Sequence, residues 1–87
     1  MEKRAYIEQY LDVIATIRQL QEKYRDVMGY GVGEEVLCVL VDSGISDEVR
    51  EVVKNKVLGV LGVEYYYEGF EVGDCGISTM WFRKREE

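Results

Sequence analysis

Apolar side chains recur at helical spacing from residue 3 to residue 28, with no proline or glycine to interrupt them. With Ile7 taken as heptad position a, the a and d sites read Ile7, Tyr10, Ile14, Ile17, Gln21, Tyr24 and Met28, and the adjoining g sites are Tyr6, Val13, Leu20 and Val27. The pattern predicts a long amphipathic helix over 1–29. At 1.5 Å per residue it is about 40 Å long, whereas a strand of about eight residues spans about 26 Å. Such a helix overhangs a small sheet, and its leftover apolar stripe predicts a homodimer with Tyr10, Ile14, Ile17 and Tyr24 at the contact.

The periodicity then changes. Gly29-Tyr30-Gly31-Val32-Gly33 reads as a helix stop and connector, because glycines supply turn conformations through which a helix does not continue. It follows a helix and precedes a strand, the reverse of the order that aims backbone amides at a phosphate, so it is not read as a phosphate cradle. Residues 34–42 form a strand, and the unbroken apolar run 36–41 predicts cover on both of its faces. Ser46 is the N-cap of a second helix, with Asp47 and Glu48 in the first turn and Val49, Val52, Val53, Val57, Val60 and Leu61 along one stripe; Gly62 ends it.

From Val63 the chain alternates: Val63, Tyr65 and Tyr67 share one face, and Glu64, Tyr66 and Glu68 the other. After Gly69 the apolar positions shift to Phe70 and Val72, which predicts a β-bulge at the glycine. Gly73-Asp74-Cys75-Gly76 makes a hairpin loop, and 77–84 returns with Ile77 and Trp81 on one face and Met80 and Phe82 on the other. The expected fold is a single α+β domain over 1–87. A long N-terminal helix (1–29) precedes a β-α-β-β unit (34–85), with a three-stranded mixed sheet in the order 1-3-2 and both helices on one face.

Charge narrows the partners. The helical segment is neutral, whereas residues 29–87 carry twelve acidic against six basic side chains and hold the entire net charge of −6. A field of that sign repels phosphate backbones and attracts basic surfaces, so direct nucleic-acid binding is not expected. The triplet Arg83, Lys84, Arg85 reads as a solvated tail. No apolar run approaches the roughly 20 residues of a membrane span, and no signal-peptide core follows Lys3 and Arg4, which places the expected protein in the cytoplasm.

Bond-breaking chemistry finds little support. Histidine is absent, and with it the commonest general base and metal ligand. Cys38 and Cys75 have no Cys-x-x-Cys spacing, and Cys75 has no adjacent base to make it a thiolate. No catalytic residue, metal or cofactor is therefore expected. Six of the seven tyrosines cluster on the helix and at 65–67, and tyrosine is enriched at interfaces. The resulting expectation is a non-enzymatic, acidic homodimer that binds a basic surface of another protein through Glu64, Tyr66, Glu68, Glu71 and Trp81. In one version it is an inhibitor of phage or mobile-element origin that mimics nucleic acid; in the alternative it is an assembly subunit that oligomerises through the N-terminal helix.

Overall fold

The structure is a computed structural model that describes residues 10–86. Its elements run α1 (Leu11–Lys23), β1 (Val27–Val32), β2 (Val36–Asp42), α2 (Asp47–Leu61), β3 (Tyr65–Val72) and β4 (Ile77–Lys84). The strands form one four-stranded sheet in the order β1-β2-β4-β3, and every neighbouring pair is antiparallel. The expected order of the last three strands holds, as β2-β4-β3. Two features differ from expectation: a fourth strand lies outside β2, and the sheet is antiparallel rather than mixed. The latter follows because β4 is inserted between β2 and β3, which α2 connects and which run in the same direction.

The extra strand comes out of the expected helix and connector. α1 is 13 residues long and stops at Tyr24, whose backbone is extended (φ −123°, ψ 117°). A turn closed by Val27 N–H to the Tyr24 carbonyl at 3.2 Å leads directly into β1. The helical spacing beyond Tyr24 was coincidental: Val27 is buried by the alternation of a strand, opposite Val41. A register shift between Val27 and Gly29 resets the alternation, so that Gly29 and Gly31 lie on the face opposite Val27. Tyr30 and Val32 pair with Val39 and Leu37 and so share the core face, while Gly29 and Gly31 pair with Leu40 and Cys38 on the other face. A Cβ at Gly31 would stand 3.0 Å from Cys38 Sγ, so the missing side chains let β1 lie flat against β2. The earlier part of the predicted helix, with Tyr6 and Ile7, lies outside the described residues.

α2 has the caps that its sequence predicts, whereas Val60 of the expected apolar stripe is exposed. Ser46 Oγ accepts from Val49 N–H at 3.1 Å, and Gly62, at φ 89°, closes the C-terminus with its N–H on the Leu58 carbonyl. The bulge at Gly69 is present as the register shift between Tyr67 and Gly69 against β4.

Both helices pack on one face of the sheet, α1 against β1 and α2, and α2 against β3. The core consists of Tyr10, Val13, Ile17 and Leu20 of the α1 segment, Val53 and Val57 of α2, Ile45 before it, and the inward strand residues Val27, Leu37, Val39, Val41, Tyr65, Met80 and Phe82. Each such aliphatic or aromatic side chain, fully buried, stabilises the fold by about 1.5–3 kcal/mol relative to exposure. β2 is covered on that side only. Its outward residues Val36, Cys38 and Leu40 are half-buried, so the expectation of cover on both faces is corrected.

Candidate functional site

Alternation along the strands places a second set of side chains on the face without helices. β2 contributes Val36, Cys38 and Leu40; β4 contributes Thr79, Trp81 and Arg83; β3 contributes Tyr66 and Glu71. Trp81 lies near the middle of this face, paired with Cys38 on β2 and Gly69 on β3. Having no side chains at Gly31 and Gly69 leaves a shallow hollow on either side of the indole. One, of about 200 Å³, is lined by Gly31, Val32, Gly33, Val36, Cys38 and Trp81; the other, of about 360 Å³, by Glu68, Gly69, Phe70, Glu71 and Trp81.

Polar contacts hold the aromatic groups in place. Trp81 Nε1–H donates to Glu71 Oε1 at 3.0 Å, fixing the indole across the β3–β4 pair. Arg83 Nε–H donates to Glu68 Oε2 at 3.0 Å, and the Arg85 guanidinium stands 5.5 Å from the centre of the Tyr66 ring. Arg85 is itself anchored by donating to the Val63 carbonyl at 3.1 Å. The basic triplet is thus not a tail: Arg83 and Lys84 are strand residues, and Arg83 and Arg85 brace this face. Burial pushes the Cys38 thiol above its ordinary 9.0, partly offset by a hydrogen bond with the Gly31 backbone, so the thiol is neutral at neutral pH.

Of the residues expected to meet a partner, Tyr66, Glu68, Glu71 and Trp81 come together on this face. Glu64 does not join them. It precedes β3 and turns to Lys84, whose Nζ is 4.0 Å away, on the rim that it shares with Tyr10 and Tyr65. Arg83, Cys38 and Leu40 were missed as members of the face. The readable signal for their neighbourhood was the period-two glycine pattern, which marks a flat strand beside them.

The residues expected at a helix-paired dimer have other positions. Tyr10 and Ile17 are fully buried in the chain's own core, and Ile14 and Tyr24 pack against its edge. The stripe is therefore largely spent within the molecule, and α1, at 13 residues, does not overhang the sheet. Among the described residues, no three His, Cys, Asp or Glu side chains are grouped to hold a metal ion, and no helix is long and apolar enough to cross a membrane. No known protein family matches the chain, and neither characterised proteins nor solved structures yield a match.

Proposed function

We propose that the protein is a non-catalytic binding module that holds a lysine- or arginine-bearing segment of another protein against its uncovered sheet face, with Trp81 as the anchor. The observation that carries this reading is the Trp81–Glu71 pair. An indole oriented by one hydrogen bond is flanked by open hollows and by the carboxylates of Glu71 and Glu68 in a chain of net charge −6. A cation seated over an indole ring gains about 0.5–2 kcal/mol, and adjacent carboxylates add charge complementarity and a faster encounter. Aromatic anchors at the centre of a patch dominate the energetics of such interfaces. Because Glu68 and Glu71 are each engaged by a neighbour on the sheet, the arrangement favours capture of a single cationic side chain over imitation of a row of phosphates.

Trp81 is the one tryptophan in the chain, so its fluorescence reports on the site directly. Titration with an arginine-rich peptide should give a saturable change in emission that weakens with added salt, while an acidic peptide of equal length should give none. Calorimetry should show binding weakened by Glu71→Gln and abolished by Trp81→Leu, with the circular dichroism spectrum retained. Equal binding of both peptides, or affinity indifferent to Trp81→Leu, refutes the reading.

A further inference from the structure

We propose that the free edge of β1 pairs antiparallel with β1 of a second copy of this chain, joining two four-stranded sheets into one of eight strands. This inference stands independently of the role given to Trp81. The two edges of the sheet are chemically unlike. β3 carries Glu68 and Glu71, charges that discourage pairing with another strand, whereas a register shift is common to both edges, between Tyr67 and Gly69 in β3 and between Val27 and Gly29 in β1, where it leaves residues 29–32 regular. β1 reads Val-Met-Gly-Tyr-Gly-Val, without a charge or a proline. Gly33 N–H donates inward to the Val36 carbonyl at 2.8 Å, so by alternation the N–H and C=O groups of Tyr30 and Val32 point away from β2, toward the open edge.

Two further observations indicate a second copy as the occupant. An apolar fringe runs beside the edge: Met28 is 49% exposed and Leu11 55%, and Ile14 is half-buried. Helical spacing puts Leu11, Ile14, Arg18 and Gln21 on the side of α1 turned away from α2, so the fringe is apolar at Leu11, Ile14 and Met28 and interrupted by the exposed Arg18; Gln21 reaches down to the Met28 carbonyl at 3.0 Å, which fixes that side over β1. A two-fold axis through the edge sets this fringe against its own copy. The ends of β1 are also complementary. Arg25 lies just before the strand and Glu34 and Glu35 just after it; all three are exposed, and none makes an ion pair among the described residues. Antiparallel self-pairing brings Arg25 of one strand beside Glu34 and Glu35 of the other, twice per dimer. The isologous geometry needs no other component.

Sedimentation velocity on the full chain over a concentration series tests the proposal. The wild type should show a monomer–dimer equilibrium, and in hydrogen exchange the amides of Tyr30 and Val32 should gain protection as concentration rises. Arg25→Glu should raise the dimer dissociation constant about tenfold, as two modest surface attractions become repulsions. The triple variant Arg25→Glu, Glu34→Lys, Glu35→Lys should restore it. Met28→Lys, on an exposed side chain, should leave the melting temperature of the monomer unchanged and abolish dimers, while binding of the basic peptide at Trp81 persists. A wild type that is monomeric throughout, a dimer indifferent to Met28→Lys, or a triple variant no better than Arg25→Glu overturns the proposal.

Discussion

The hydroxyls of Tyr10 and Tyr65 lie 3.1 Å apart inside the core, and their rings meet edge to face with centroids 6.1 Å apart. The contact joins the two tyrosine clusters of the sequence across 55 residues and ties the start of α1 to the start of β3. Tyr10→Phe removes this hydrogen bond and should cost about 1 kcal/mol, lowering the melting temperature by about 4–8 °C. Tyr10→Ala empties the site and should cost about 3–5 kcal/mol. Thermal melts decide both; an unchanged Tyr10→Phe melt would show the hydroxyl contact to be idle.

The N-cap of α2 offers a cleaner local measurement. Ser46 Oγ receives the Val49 amide on an exposed surface, so its removal disturbs no packing. Ser46→Ala should cost about 1 kcal/mol and Ser46→Asp little, because a carboxylate there accepts the same bond and suits the helix dipole. Urea denaturation of the three proteins, with equal m-values, checks the ranking.

Gly31 and Cys38 should be energetically coupled. A methyl group at Gly31 would press on the Cys38 sulfur at 3.0 Å. Gly31→Ala should therefore destabilise the wild type, and the penalty should shrink or vanish in a Cys38→Ala background. A double-mutant cycle should return a coupling of about 0.5–1 kcal/mol, and strict additivity would show that the sheet relaxes without strain.

Alkaline pH should erode stability in an identifiable order. Burial raises the Cys38 thiol above 9.0 and the Tyr67 hydroxyl above 10.0, so in both cases the folded state retains the proton that the unfolded chain gives up first. With fewer protons bound in the unfolded state, stability falls as pH rises, beginning near the unfolded value of each group and levelling off above its folded value. Stability should thus be flat through neutral pH and decline above about 9. Cys38→Ser should remove the earlier part of the decline and Tyr67→Phe the later part. Denaturation midpoints measured from pH 7 to 11 test this, and identical slopes for all three proteins would refute it.

Local signals in the sequence were sufficient where one strong feature acted alone. Ser46 and Gly62 bound α2 because capping is decided within a few residues. The phase change at Gly69 marked the bulge because a strand that buries one face must restore its alternation. Trp81 and Phe82 were correctly assigned to opposite faces for the same reason, leaving open only which of them faced the helices.

Two patterns coexisted between Tyr24 and Gly33, and the local sequence does not choose between them. Apolar residues at 24, 27 and 28 continue a helical stripe, while Gly29, Gly31 and Gly33 set the parity of a strand. Tertiary structure resolves the competition. β2 leaves a row of amides and carbonyls unpaired on one side, and pairing them with β1 satisfies groups that an extended α1 would leave to solvent. What the sequence by itself determined was local: the cap, the bulge, the alternating faces and the sign of the charge. The edge strand, the uncovered face around Trp81 and the internal use of Tyr10 and Ile17 were decided only by the fold, because hydrogen-bond pairing between strands and burial against a distant helix depend on partners far along the chain.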